Sequence, residues 1–458
     1  MAKEVRSQYD KMTKTPIEKL IIVLSIPTIL SMMVTNIYNL VDTAFVSELG
    51  TSESGAVSVI LGLMAILQAI GFLFGQGAGS ILSRKLGEKD IKEASLVATT
   101  GVLGSFLSAF LVEVFGLVVI DKLVMWLGST VTIAPHAKDY VFYILLSAPA
   151  TAASFTLNNL LRYEGKAKLG MIGLMTGAIL NIGGDYVLIK IFNLRVAGAG
   201  ISTAIAQTIS FLILLYMFIG GKTQCKITFK DYSFTFKRFM DIVLTGFPSM
   251  IRQALNSVTT ILLNSVLRPY GDEALAAMGI VSKIIFFSFS VALGVGQGFQ
   301  PVSAFNFGAK RYDRVRKAYW VTVLLSALML LAFAGTTYAF AEPLIRHFRE
   351  DALVVEIGTR ALRLQCVAQI VMPICMTTEM LYQSTGKKLG ASLLSASRGG
   401  FFFIPALLIL PKFRGLSGIE EAQPVAFYLS FLPAVICLII YLRQLKYKEN
   451  ELKESENN

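Results

Sequence analysis

Apolar runs of about 20 residues, each long enough to cross a bilayer as a helix, recur twelve times along this chain of 458 residues. They lie at 20 to 46, 55 to 80, 95 to 119, 138 to 161, 169 to 190, 198 to 219, 239 to 267, 276 to 301, 318 to 341, 360 to 382, 389 to 411 and 422 to 442. Single water-soluble cores stop growing beyond roughly 250 to 300 residues, so this much apolar chain cannot be hidden in one of them. Charged residues make up only 16% of the chain, against about 25% in soluble domains. The chain therefore reads as an all-α polytopic membrane protein with twelve transmembrane helices. The first 19 residues are polar and carry no short apolar signal region, so the first run is expected to be a lasting span.

The distribution of lysine and arginine orients these spans. Alternate loops, the N-terminal arm and the tail hold 28 of the 42 basic residues, the opposite loops hold 11, and Arg252, Lys283 and Arg398 fall inside spans. The positive-inside rule then places both termini in the cytoplasm and the chain in the cytoplasmic membrane of a prokaryote. The net charge of +12 is thus a topology signal, and no nucleic-acid partner is expected. Four cysteines without CxxC spacing and two distant histidines, His136 and His347, give no disulfide framework, zinc site or histidine-based triad. The chain is not expected to be an enzyme or to need a cofactor.

Displacing the sequence by 221 residues superposes Pro27 on Pro248, Gly50 on Gly271, Ala56 on Ala277, Gly75-Gln76-Gly77 on Gly296-Gln297-Gly298, Gly87 on Gly308 and Lys89 on Lys310. Gly165 to Gly170 answers Gly386 to Gly390 at nearly the same shift. Two six-helix bundles follow, parallel in topology and related by a pseudo-twofold axis along the membrane normal, an arrangement that in transporters places the substrate path at the repeat interface. The expected organisation is a cytoplasmic arm at 1–19, an N-lobe at 20–219, a basic connector at 220–238, a C-lobe at 239–442 and a cytoplasmic tail at 443–458.

Ionisable residues inside spans are costly and therefore informative. They are Asp42, Glu113, Asp185, Arg252, Lys283, Glu379 and Arg398. Asp42 precedes the outer end of the first span, Asp185 precedes that of the fifth, and Thr203 follows the outer start of the sixth; at 1.5 Å per residue all three lie about 6 to 8 Å below the outer boundary. Asn181 is four residues before Asp185, on the same helical face one turn deeper. Two carboxylates, an amide oxygen and a hydroxyl can thus converge within one half. Such an all-oxygen set suits a hard cation, Na+ among them, or a shared proton; its alternative is a purely structural polar network. Pro27 is expected to kink the first span, which could bend when Asp42 changes charge. The paired Gly-Gln-Gly motifs favour close helix packing, with Gln76 and Gln297 as candidate cavity-lining residues. Arg398 could balance an acid such as Glu379 or bind a lipid phosphate.

The stretches Ile26-Pro27 through Asn39-Leu40-Val41-Asp42, Leu161-Arg162-Tyr163-Glu164-Gly165-Lys166-Ala167-Lys168, Asn181-Ile182-Gly183-Gly184-Asp185 and Gly198-Ala199-Gly200-Ile201-Ser202-Thr203 resemble the multidrug and toxic compound extrusion (MATE) transporters. Phe305-Asn306-Phe307-Gly308-Ala309-Lys310 and Ser397-Arg398-Gly399-Gly400-Phe401-Phe402-Phe403-Ile404-Pro405 are similar to the MepA-like branch. The resemblance covers nearly the whole chain. It implies a two-lobed, twelve-helix antiporter of the MATE/MOP type, in which inward H+ or Na+ drives export of organic, often cationic, compounds. It also implies a cation site at Asp42, Asn181, Asp185 and Thr203, joined by Tyr140, a bending point at Pro27, and drug contacts at Tyr38 and Asn158. The partners implied are small organic cations or drugs and the lipid bilayer, with the chain acting as a monomer.

This sequence departs from the family pattern in two places. Residues 244–267 carry Arg252 and Gln253 but no acid, so no second cation site is expected in the C-lobe. Gly183 and Gly184 precede Asp185 where bulkier residues are usual, and two glycines weaken the local helix by about 1 kcal/mol each. Two other functions fit parts of this pattern. A lipid-linked oligosaccharide flippase shares the broad fold but needs a strongly basic cavity, for which only Arg252, Lys283 and Arg398 are available. A membrane-embedded transferase needs a motif such as DDxxD, and none occurs.

Overall fold

The computed structural model describes residues 2–227 and 232–457; the middle of the expected connector, 228–231, lies outside the described residues. Among the described residues all regular structure is helical. In the first half, α1 (Ala2–Lys14) precedes α2 (Ile17–Ser47), α3 (Thr51–Gly87), α4 (Ile91–Val118), α5 (Ile120–Trp126), α6 (Ala134–Leu146), α7 (Ala148–Tyr163), α8 (Ala167–Asp185) and α9 (Arg195–Ile219). The second half comprises α10 (Phe236–Leu267), α11 (Asp272–Gly308), α12 (Tyr312–Ala339), α13 (Ala341–Phe348), α14 (Ala352–Ala368), α15 (Met372–Ser384), α16 (Lys388–Ala396), α17 (Phe403–Arg414) and α18 (Leu416–Asn457).

Among the described residues, ten helical stretches are long and apolar enough to cross a membrane, and α6 with α7, bent by 55°, makes an eleventh. The twelfth is α10, whose 32 residues include Lys237, Arg238, Asp241 and Arg252 and so dilute its apolar character. The layout is that of twelve transmembrane helices in two six-helix bundles. The break in the fourth span has a local cause: Pro149, at the start of α7, has no N–H to donate and its ring displaces the carbonyl one turn before. The tenth span repeats the device, with Pro373 opening α15 after a short 3-10 turn at Gln369–Val371. Lipid-facing stripes appear where a helix outside is apolar, as at Leu107, Leu111, Phe115 and Val118 of α4.

The 221-residue repeat extends to the backbone. Gly50 and Gly271 both adopt positive φ (150° and 93°) at helix starts, Lys89 and Lys310 share the left-handed region (65° and 56°), and Gly165 and Gly386 do likewise (78° and 84°). A lysine held at positive φ is strained, so its recurrence at the same place in both halves marks a turn inherited with the duplication.

By its contacts the chain forms two compact units, one of residues 1–11 and 30–250, the other of residues 12–29 and 251–458. The divisions at 29/30 and 250/251 fall inside α2 and α10, two residues beyond Pro27 and Pro248, rather than in the connector. Both helices run through their prolines as single elements. The Gly-Gln-Gly motifs explain the packing in each unit. A Cβ on Gly77 would lie 2.2 Å from the Ile242 carbonyl and 3.0 Å from Gly246 N, so α3 meets the first half of α10 at backbone contact. A Cβ on Gly298 would lie 2.2 Å from Ser25 Oγ and 2.8 Å from its Cα, the corresponding contact of α11 with the first half of α2.

At the end of α7, Glu164 is fully buried and ties down the beginning of the connector. Its Oε1 accepts the Cys225 N–H (2.9 Å) and its Oε2 the Gln224 N–H (3.1 Å), while Gln8 Nε2 donates to its backbone carbonyl (2.8 Å). Burial holds the Glu164 carboxyl above the usual carboxylate range against the pull of Lys166. Burial, and then the Glu164 charge, push the Cys225 thiol well above its ordinary value. Thiolate is the reactive form, so Cys225 should resist maleimide at neutral pH. Replacing Glu164 by Ala removes two charge-assisted bonds, each worth about 1.5 to 3 kcal/mol. Glu164→Ala is expected to raise labelling of the Cys225 peptide at least about tenfold by mass spectrometry; unchanged labelling would show that the clamp does not hold the segment.

Candidate functional site

One end of the first unit gathers five polar side chains from four helices. Asp42 comes from α2, Tyr140 from α6, Asn181 and Asp185 from successive turns of α8, and Thr203 from α9. All are buried, from fully for Asp185 to 9% exposed for Asp42. The Tyr140 hydroxyl donates to Asp42 Oδ2 at 2.8 Å and lies 3.4 Å from Thr203 Oγ1. Asn181 Nδ2 donates to Thr203 Oγ1 at 3.0 Å. With the Tyr140 proton committed to Asp42, the Thr203 hydroxyl is left to donate to Tyr140, and the bonds run in one direction from Asn181 through Thr203 and Tyr140 to Asp42.

The acceptors outnumber the donors. Asp42 Oδ1, Asn181 Oδ1 and both carboxylate oxygens of Asp185 are buried without a hydrogen-bond partner. The Asp185 carboxyl lies close enough to that of Asp42 to act on it electrostatically. Among the described residues no lysine or arginine pairs with either acid. Buried carboxylates almost always have a counter-charge or donors, whereas these four oxygens on three neighbouring side chains accept no hydrogen bond among the described residues. Among the described residues no group of three His, Cys, Asp or Glu is assembled for a metal. The arrangement is of two carboxyls with neutral oxygens, which fits a monovalent cation or a proton better than a transition metal.

The local backbone accounts for the position of Asp185. A π-turn at Tyr186–Ile191 follows it directly, a geometry common at functional sites, and the Gly183-Gly184 pair before it removes the side chains that would hold a regular helix. Gly184 also sets the spacing of α8 and α9, since a Cβ there would lie 2.5 Å from Ser202 Oγ. Ser202 cannot easily yield, because its hydroxyl donates to the Asn181 carbonyl at 2.9 Å. Sequence reasoning did not single out Ser202; it stands next to Thr203, but only the rotation of α9 turns it toward α8.

The other expected residues fall in different settings. Tyr38 and Asn181 line a small enclosed cavity with Phe155 and Gln207. Asn158, half-buried on α7, packs on Gly170 at the start of α8. Gln76 is fully buried and its Oε1 accepts the Ser249 hydroxyl at 2.9 Å, a bond within the first unit; Gln297 is likewise buried in the second. There, Glu379 is held by Arg252 (2.5 Å) and by Ser395 (3.0 Å) rather than by Arg398, whose guanidinium lies over the Phe289 ring at 5.3 Å.

A duplicated six-helix bundle with carboxylates buried inside its spans has the build of a membrane transporter. The family model described as MatE matches residues 27–187 and 248–398, one block in each repeat, and the chain belongs to this family. It is similar to the multidrug export protein MepA of Staphylococcus aureus, 26% identical over 442 residues covering 96% of this chain and 98% of that protein. Its similarity to MepA of Staphylococcus saprophyticus is 27% over 433 residues, 94% and 95% of the two chains. Its fold matches a solved outward-facing conformation of a multidrug resistance MATE family transporter of the MOP superfamily, with a TM-score of 0.89, 24% identity, and 95% and 98% of the two chains covered.

The Gly184 contact makes a direct test of the site's construction. Gly184→Ala is expected to cost about 1 to 3 kcal/mol through overpacking against Ser202, read as a lower melting temperature of the purified protein. Gly183→Ala, whose Cβ meets nothing within 4 Å, should cost nothing. Equal melting temperatures for the two variants would contradict the close approach of α8 and α9.

Proposed function

We propose that the protein is a secondary active multidrug exporter that expels organic, chiefly cationic, compounds in exchange for inward H+ or Na+. The reading rests on one observation above the others: four buried oxygens of Asp42, Asn181 and Asp185 have no donor, beside a hydrogen-bond chain that ends on Asp42. Two ionised carboxylates side by side in an apolar interior need a positive charge between them. An entering proton or Na+ supplies it and leaves toward the cytoplasm when the site opens there. Family membership and the similarity to proteins named multidrug export protein support the exporter part of the proposal.

In this cycle the outward-open protein takes the cation at Asp42 and Asp185, with Asn181 and Thr203 as neutral ligands and Tyr140 orienting Asp42. The charge change bends α2 near Pro27 and drug leaves; the lobes then exchange access, the cation departs inward, and another drug binds, with Tyr38 and Asn158 as contacts. The segment 220–238 tethers the lobes as they move. Both termini lie in the cytoplasm, as the basic loops require, and a single chain suffices. One charge moving through 100 mV releases about 2.3 kcal/mol, enough for a drug gradient of roughly fifty-fold.

The test is efflux of a cationic dye from proteoliposomes under an imposed Na+ gradient and, separately, an imposed pH gradient. Asp42→Asn and Asp185→Asn should each lower gradient-driven efflux at least about tenfold, and Tyr140→Phe less. Unimpaired transport by both Asp variants would remove the coupling site, and the gradient that drives efflux names the ion.

A further inference from the structure

The second unit contains a cavity of about 200 Å³ whose chemistry is opposite to that of the acidic cluster. Phe286, Phe289, Phe403 and Phe427 supply aromatic surface, and Arg398, Gln369 and Gln423 are among its polar lining. Arg398 lies ten residues into the span Lys388–Arg414, about 15 Å along it, which is mid-depth in a hydrocarbon layer about 30 Å thick. An arginine at that depth is costly and needs a partner. The nearest acid, Glu379, is already engaged by Arg252 at 2.5 Å and Ser395 at 3.0 Å. The three groups together therefore carry one net positive charge. Among the described residues the Arg398 guanidinium has the Phe289 ring as its contact, at 5.3 Å, and no salt bridge or hydrogen bond.

A second unsatisfied group faces the same space. Gln369 is 3% exposed and lines the cavity; its Oε1 accepts the Ser288 hydroxyl, and its Nε2 has no partner. Gln423 Oε1 is occupied by Gln365 Nε2 at 3.2 Å. The charged group and the buried amide that remain uncommitted are therefore donors, a guanidinium and an NH2 next to aromatic walls, while Asn256, Thr259, Thr260 and Ser282 add neutral groups able to donate or accept. A cation would be repelled here. A diphosphate carries more charge than one arginine can neutralise, and a lipid headgroup does not reach mid-depth. A carboxylate on an aromatic body meets each requirement, with its oxygens on the guanidinium fork and the amide and its ring among the phenylalanines.

We propose that this cavity of the C-terminal unit is a binding site for an aromatic organic monoanion, recognised by Arg398 and Gln369. The proposal goes beyond the exchange of cations for drugs and does not depend on it, because binding is read at equilibrium without a gradient.

The experiment is calorimetric titration of the purified full-length protein with 2-naphthoate, alongside the isosteric 2-naphthamide and the cationic 2-naphthylmethylamine. One saturable naphthoate site per chain is expected, with the amide and the amine at least about tenfold weaker. Arg398→Met should weaken naphthoate at least about tenfold and Gln369→Leu about threefold, with Arg398→Lys between wild type and Arg398→Met. Absence of saturable binding, equal affinity for naphthoate and naphthamide, or an Arg398→Met affinity equal to wild type would each overturn the assignment. Should Arg398→Met fail to fold, the comparison of carboxylate with amide on the wild-type protein decides the matter alone.

Discussion

The solvent for most of this chain is hydrocarbon, which offers no hydrogen bond to any polar group it touches. Every backbone N–H and C=O in a span must therefore find its partner within the protein, and the chain meets that demand with helices throughout. The same constraint makes helix contacts depend on shape rather than on the hydrophobic effect. Gly77 and Gly298 bring backbones to within touching distance of α10 and α2, so the long helices α3 and α11 pack where any side chain would hold them apart. It also makes each buried charge conspicuous: Arg252 and Glu379 pair with each other, whereas Asp42, Asp185 and Arg398 form no ion pair among the described residues.

Duplication gave two bundles with the same turns and the same helix-packing glycines, yet their polar interiors have diverged. The first unit holds two acids with surplus acceptors, whereas the second has spent its acid on Arg252 and keeps a surplus of donors around Arg398. Both places share a backbone device: a Gly-Gly pair at a π-turn, Gly183-Gly184 before Tyr186–Ile191 and Gly399-Gly400 within Ser397–Phe401. A widened turn frees backbone and re-aims side chains, so similar distortions at different positions of the fifth and eleventh spans present opposite charges in the two halves. The divisions within α2 and α10, each two residues past a proline, show that each unit includes the first part of a long helix whose remainder belongs to the other. Proline there removes a backbone bond at the point where the helix passes between units.

Most of the fold was legible in the residues. Span positions follow from runs of apolar residues, and the repeat from a constant displacement of 221. These are local or one-dimensional properties. The shared depth of Asp42, Asp185 and Thr203 was legible too, because depth is a residue count multiplied by a fixed rise. The family resemblance supplied Tyr140. The break at Pro149 within the fourth span and the pairing of Glu379 with Arg252 were not legible, since both depend on contacts between turns and helices.

By itself, then, the sequence determined that this is a twelve-span duplicated membrane protein and at what height its buried charges lie. Tertiary structure alone decided which of those charges meet. Sideways proximity depends on how each helix is rotated about its axis and how closely it approaches its neighbour, and these follow from contacts between residues far apart in the chain. The hydroxyl of Tyr140 on Asp42, the turn of Ser202 toward Gly184 and the uncommitted guanidinium of Arg398 all arise at that level. No periodicity along a single sequence encodes them.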